Sequence, residues 1–508
     1  MKFKSSRRFF LVVMLLLVGI AGFAVVHGAP AVKEITFGIT DPNLMPSPSM
    51  GKSPSNPFPH NAILKVIASW EKAHPGYKIK IVDLTKTITG DESEAEQANQ
   101  FIAMIKGGTL PDIVDGRVNF VRVPEYWTNG TIIRMDDYLK KPTPYSKGVA
   151  WENTYKFIVK DDGQVPGISG RFTIPYRMYT VFWLYNVDLF KKYGWKVPQT
   201  HEDLLGLFKK AKRVGLDGGF VSASSPDRDH WMHNIYGQGL SMKLVKPWCS
   251  PEVAEKLQPA LDLPQEYLVR AVQKGLLKWE KGGILAESAR LVKEMSEYLP
   301  QGYMGMDNNQ ITAIFRKGRV PMMIDGTWDL PATMNDPAVK FQVGSFSFPV
   351  LTAKNTPLAG KAPIMPNQWA DNQQGFYLMG SAKQHGVFTQ AVDFAQFLTS
   401  PEVDNAICSP VLDLPAIKGA KEPVLFKNLT LKRVYMGKDD MEITPYLFLG
   451  PEYAKIYQDE WNKYSLGMQT LDQLIAKMQK ALEEQANLVL QNNQKLEDKT
   501  LRWDTSKW

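Results

Sequence analysis

The chain has 508 residues, 44% of them apolar and 22% charged, which is too long for one ordinary domain and too apolar for a disordered or fibrous protein. Lys2, Lys4, Arg7 and Arg8 supply four of its 60 basic residues, and the remaining 56 stand against 52 acidic ones, so the formal +8 falls to +4 past the first residues. So even a balance gives no basis for nucleic-acid binding, and two Cys with seven scattered His build no tetrahedral zinc set.

The four early positive charges precede an uninterrupted apolar run, 9–26, and then small residues that offer cleavage after Gly28 or after Ala31. This is the pattern of an export signal over residues 1–31. The run is also long enough to span a bilayer as an anchor. Ser6-Arg7-Arg8-Phe9-Phe10-Leu11 fits the twin-arginine pattern, whereas the strongly apolar core is more typical of the general secretory route. Both routes stay open. No Cys lies near either cleavage position, which favours a soluble periplasmic or released protein over a lipoprotein. Cys249 and Cys408 either pair in that oxidising compartment or stay as buried thiols.

Lys33–Ile39 reads as a first strand, with Asp41 and Asn43 just past it. Residues 45–59, rich in Pro and Ser, read as a loop. Ile63, Leu64, Val66, Ile67 and Trp70 form one helical stripe over 62–72, stopped by His74-Pro75-Gly76 ahead of an alternating strand over 77–84. Pro111-Asp112-Ile113-Val114 leads into another strand, and Gly116 and Arg117 follow its end. The stretch 174–204, IPYRMYTVFWLYNVDLFKKYGWKVPQTHEDL, has five pieces. They are Ile174-Pro175, an apolar strand over 180–185, an Asn186-Val187-Asp188 turn, a short amphipathic helix over 189–193, and a helix capped by Thr200. Asp203, three residues on, comes close to completing a capping box. The polar-aromatic run holding Asp227, Arg228, His230 and Trp231 precedes a further helix. Residues 248–302 are helical in pattern. A buried strand over 320–324 closes in the turn Asp325-Gly326-Thr327-Trp328. Gln368 and Trp369 precede a strand over 375–379, and Tyr453 follows Pro451-Glu452. Leu471, Leu474, Ile475, Met478, Ala481, Leu482 and Ala486 share one face of a long amphipathic helix. Strands alternating with helices predict an α/β fold with largely parallel sheets.

In this order the blocks resemble the family 1 extracellular solute-binding proteins, the maltose-binding-protein-like receptors that feed ATP-binding-cassette (ABC) importers. Residues 174–204 are similar to that family's crossover between lobes. Residues 107–113, 130–139, 315–328, 399–402 and 413–416 resemble further family elements, so the likeness covers nearly all of the chain past residue 31. It implies a two-lobe, type II periplasmic-binding-protein-like α/β fold. The N-terminal lobe would comprise 32–176 and 350–430, and the C-terminal lobe 177–349 and 431–508. Three crossovers would form the hinge, near Pro175, near Phe348-Pro349 and within 400–435. The implied ligand is a small molecule, a sugar and more specifically an oligosaccharide, held between the lobes and handed to the membrane permease of an ABC transporter. The implied receptor is a monomer with no cofactor and no metal.

Sugars present apolar ring faces and a rim of hydroxyls, so a site needs aromatic platforms and planar polar groups. The resemblance places Trp328 and Asp325 at the cleft, Trp369 and Gln368 on a cleft loop, and Tyr176, Arg177 and Tyr179 along its floor. The simpler role for Arg177 is a hinge ion pair. Asp41 and Asn43, and Gly116 and Arg117, sit past the carboxyl ends of strands, where open α/β sheets take ligands. Asp227, Arg228, His230 and Trp231 fall on a loop ahead of a helix, and Tyr453 supplies a further aromatic. The simpler reading of each is a core aromatic, a turn cap or a helix start. No G-x-G-x-x-G, Walker A, G-x-S-x-G or complete H-E-x-x-H occurs, so no motif marks an enzyme. A secreted carbohydrate-active enzyme with a carboxylate pair is a separate reading that spacing in space decides. The same fold holding a polyol, a peptide or an anion is another, with Arg117, Arg177 and Arg228 as the anion's partners. The chain is longer than the well-studied sugar receptors, through the 248–302 stretch and a loop near 163–171.

Overall fold

The computed structural model describes residues 32–51, 59–87, 94–116, 124–156, 170–223, 230–241, 248, 265–366, 370–428, 449–496, 499 and 502–508. The export signal, most of the 163–171 loop and Cys249 lie outside the described residues.

Nine strands occur among these residues: β1 Lys33–Ile39, β2 Tyr77–Asp83, β3 Ile113–Asp115, β4 Thr173–Asn186, β5 Val221–Ser222, β6 Met322–Gly326, β7 Val343–Phe346, β8 Ala370–Leu378 and β9 Leu414–Pro415. They hydrogen-bond in the order β2-β1-β3-β8-β4-β6-β5, with β7 and β9 also paired to β4. β4 is the member common to both halves of the sheet. Its first half runs antiparallel to β8, from Thr173 opposite Tyr377 to Thr180 opposite Ala370. Its second half pairs with β6, from Val181 opposite Gly326 to Tyr185 opposite Met322. The register slips between Pro175 and Arg177 and again between Arg177 and Tyr179, and β9 pairs with β4 at Arg177 and Met178.

Two sequence expectations are revised here. The strand expected over 180–185 is 14 residues long and runs straight into the helix Val187–Tyr193. Asn186 ends the strand, and its side chain accepts a hydrogen bond from the Leu189 N–H, so it caps the helix with no separate turn. The sheet is also mixed rather than largely parallel. Only β1–β2, β1–β3 and β5–β6 are parallel. Parallel neighbours need a crossover, usually helical, and helices such as Ala62–Ala73 and Glu94–Gly107 supply it on the β1, β2, β3 side. β4 and β8 instead traverse the middle of the sheet from opposite directions and pair antiparallel.

Side-chain alternation along β4 divides the core. Val181 and Trp183 enter one apolar cluster with the helices His201–Arg213, His230–Ser241, Ile284–Ser296, Pro451–Ser465 and Leu471–Gln494. Phe182 and Leu184, on the opposite face, enter a second with Phe37, Ile174, Tyr176, Phe376 and Phe394. Trp183 is fully buried and lies within 5.3–6.0 Å, ring centroid to centroid, of Phe208, Phe220, Phe346 and Phe348. Ile63, Val66, Ile67 and Trp70 are buried on the first helix as their spacing predicts, while Leu64 is 44% exposed at the margin of the stripe. Capping boxes at Thr200/Asp203, Asp307/Gln310 and Thr470/Gln473 fix three helix starts. Cys408 is buried. No helix among the described residues is long and apolar enough to cross a membrane.

Candidate ligand-binding site

The carboxyl ends of β1, β3 and β6 meet the middle of β4. Past β1, the Thr40 N–H donates to Asp115 Oδ1 at 2.5 Å, and Thr40 Oγ1 donates to the Asp115 carbonyl at 2.9 Å. The next residue, Asp41, accepts from the Asn43 N–H at 2.8 Å and forms an ion pair with Nη2 of Arg177. Arg177 Nη1 donates to Asp413, the residue just before β9, and Nη2 donates to the Tyr179 hydroxyl at 2.8 Å. The rings of Tyr176 and Tyr179 each lie 5.2 Å from the guanidinium carbon. Burial opposes the charge on Arg177, but Asp413 and Tyr179 outweigh it and hold the pKa above the ordinary arginine value. Burial raises Asp413, and Arg177 offsets that only in part. Asp115 is pushed up to about 7 by burial, against the pull of its bonds from Thr40 and Tyr176.

The β6 end completes the cluster. The Thr327 N–H donates to the Thr180 carbonyl at 3.0 Å, which sets Trp328 beside Tyr179 in an edge-to-face pair, centroids 5.4 Å apart. A Cβ on Gly326 would lie 2.3 Å from the Trp328 ring, so only glycine lets the indole fold back over the strand end. Asp325 is fully buried, accepting from the Gly326 N–H at 2.8 Å and the Thr333 hydroxyl at 3.3 Å. Burial and the charge of Asp329 raise its pKa well above the carboxylate range.

Asp41, Asn43, Tyr176, Arg177, Tyr179 and Trp328 are thus linked by direct contacts, and Gly116 follows Asp115 beside them, whereas the Asp325 carboxylate bonds within its own turn and to Thr333. Gly116, at φ +101, donates its N–H to the Gly375 carbonyl at 3.1 Å, where β3 meets β8. Tyr453 falls elsewhere: it is fully buried in the helical core and accepts a 2.9 Å bond from the Trp279 indole, so in this conformation it offers no ring face. His230 and Trp231 begin the helix His230–Ser241, but their side chains lie outside the described residues, as do Arg117, Asp227, Arg228, Gln368 and Trp369. Sequence reasoning missed Asp115 and Asp413. Asp115 directly precedes the selected Gly116, and Asp413 opens the quoted 413–416 block. The signal was there in outline: a charged Arg177 within an otherwise apolar strand needs acidic partners.

Residues 59–405 match the sequence model for bacterial extracellular solute-binding proteins. Among solved structures the fold is similar to the apo form of RafE from Streptococcus pneumoniae (TM-score 0.56, 15% identity, covering 90% of this chain and 99% of that one). It is also similar to the bacterial solute receptor AcbH (0.54, 15%, 90% and 100%) and to the GacH receptor of Streptomyces glaucescens (0.54, 15%, 89% and 98%). None of the curated protein sequences is significantly similar to the chain. These structural likenesses identify the fold as the two-lobe type II architecture of periplasmic binding proteins. With more than half its length matched, the chain belongs to the bacterial extracellular solute-binding proteins, a family of receptors that bind small molecules and are not enzymes.

Proposed function

We propose that this receptor captures a neutral carbohydrate, an oligosaccharide, between its two lobes and delivers it to the membrane permease of an ABC transporter. The observation that carries the reading is the Tyr179–Trp328 aromatic pair, set against a cluster of planar polar groups where the carboxyl ends of β1, β3 and β6 converge. Aromatic faces suit sugar rings and planar polar groups suit hydroxyls. RafE has been solved with raffinose, AcbH is described as preferring galactopyranose, and GacH has been solved with acarbose. Among the described residues the Arg177 guanidinium is taken up by Asp41 and Asp413, leaving it little to offer an anion. That favours a neutral polyhydroxyl ligand over an anionic one.

In this reading the half-buried Trp328 stacks on sugar, backed by the buried Tyr179 in edge-to-face contact, with Asp41, Asn43, Gly116, Tyr176, Arg177 and Asp325 around them. Arg117, Asp227, Arg228, His230, Trp231, Gln368 and Trp369 are proposed as further ligand contacts. The lobes comprise 32–176 with 350–430 and 177–349 with 431–508. A ligand that touches both binds the closed form better and shifts the population toward it. Micromolar capture needs about −8 kcal/mol, within reach of a few stacked rings and charge-assisted hydrogen bonds. The chain acts as a monomer outside the cytoplasm, exported by residues 1–31. N-terminal sequencing of the exported protein should start at residue 29 or 32. Titration calorimetry with raffinose, galactose and maltotriose tests the ligand class: heat with at least one is expected, and none with any of them would contradict it.

A further inference from the structure

We infer that Arg177 and Asp413 form a hydroxyl-recognition subsite at the bend of β4, with Asp413 a direct ligand contact; this rests on the sugar-receptor reading. Both side chains are buried, at 2% and 0% exposure. Arg177 commits its two terminal nitrogens, Nη1 to Asp413 Oδ2 and Nη2 to Asp41 and the Tyr179 hydroxyl. Among the described residues its Nε reaches no protein acceptor and Asp413 Oδ1 reaches no protein donor, although both atoms are shut away from solvent. Buried polar atoms in folded proteins are almost always bonded, and those of charged groups are the costliest to leave bare.

One unused N–H and one unused carboxylate oxygen, on two residues already paired, complement a hydroxyl. A hydroxyl accepts one bond and donates another. An anion would find the guanidinium already matched by two carboxylates, and a cation would meet the Arg177 charge. Leu412 occupies the left-handed region at φ +56, which a leucine rarely adopts. That turn brings the chain off the helix Pro401–Cys408 and sets Asp413 against Arg177. The subsite is one hydrogen bond from the Tyr179–Trp328 pair, through the Tyr179 hydroxyl. A sugar hydroxyl and an internal water share this chemistry, and the test separates them.

Raffinose, galactose and maltotriose are titrated into the wild type, Asp413→Asn and Arg177→Lys, followed by the single-deoxy derivatives of whichever sugar binds. Arg177→Lys keeps a positive charge between Asp41 and Asp413 while deleting Nε, so it carries the test if Asp413→Asn fails to fold, which thermal melts reveal. Both variants should bind the parent sugar about 10- to 100-fold more weakly. For one deoxy derivative, the one lacking the recognised hydroxyl, the loss should shrink to within about threefold. Wild-type affinity in both variants, or equal losses for the parent and every deoxy derivative, assigns the two atoms to an internal water and overturns the subsite alone. No heat from the wild type with any of the sugars overturns the receptor reading and the subsite with it.

Discussion

At the middle of β4 a guanidinium is held between two carboxylates and two tyrosine rings, and the half-buried Trp328 packs edge-to-face on one of those rings. If Trp328 is the ring platform, Trp328→Ala weakens sugar binding about 10- to 100-fold with little change in melting temperature. Gly326→Ala should act in the same direction, because the new Cβ displaces the indole; calorimetry reads both, and unchanged affinity would remove Trp328 from the site. Asp404 is fully buried, accepting from the Ile417 N–H at 3.0 Å, and burial pushes it up to about 8 against an ordinary 3.8. Between those values the folded chain holds a proton that the unfolded chain releases, so this group favours folding in acid and the advantage is lost as pH rises from about 4 to 8. Asp404→Asn should therefore melt close to the wild type at pH 5 and several degrees higher at pH 8.5; parallel melting curves across that range would contradict the burial argument. Trp328, Tyr179 and Arg177 were legible as candidates because their residue types stand out beside a strand end. Asp413 was not, since nothing local in 413–416 says that a carboxylate there meets a residue 236 positions away.

Local chemistry carried most of the elements. β1 matches its expected limits, the Thr200/Asp203 capping box forms as its spacing suggests, and Leu474, Met478, Ala481, Leu482 and Ala486 are buried on the long helix as their period predicts. Thr470 caps that helix, accepting from the Gln473 N–H at 3.2 Å while Gln473 accepts from the Thr470 N–H. Thr470→Ala should cost about 1 kcal/mol, read by denaturant unfolding. Trp183→Ala removes the ring at the centre of four phenylalanines and should cost about 3–5 kcal/mol; a loss under about 1 kcal/mol would mean that the cluster repacks. β4 was under-read because Thr173 to Tyr179 mixes Pro, Arg and Tyr without strict alternation. The two register slips, between Pro175 and Arg177 and between Arg177 and Tyr179, account for that pattern: each one shifts which side chain faces which side. The direction of pairing was likewise hidden, since it depends on β8 returning from the far half of the chain and not on any local propensity.

For the whole molecule, a single strand runs through both halves of the sheet, and the proposed closure of the lobes would bend β4 near its register slips. The Thr180–Thr327 hydrogen bond and the Tyr179–Trp328 contact lie at that bend. They join the proposed ligand platform to the stretch of β4 proposed as the hinge, which is how a bound sugar would favour one arrangement of the lobes. The order of blocks along the sequence was enough to suggest this architecture and a crossover near Pro175, and the register slips of β4, between Pro175 and Tyr179, fall at that point. Small-angle X-ray scattering on the exported protein, with and without a saturating sugar identified by calorimetry, tests the central claim most directly. Ligand-driven closure predicts a smaller radius of gyration and maximum dimension in the sugar-bound sample; identical curves for the two samples, at full occupancy, would contradict it.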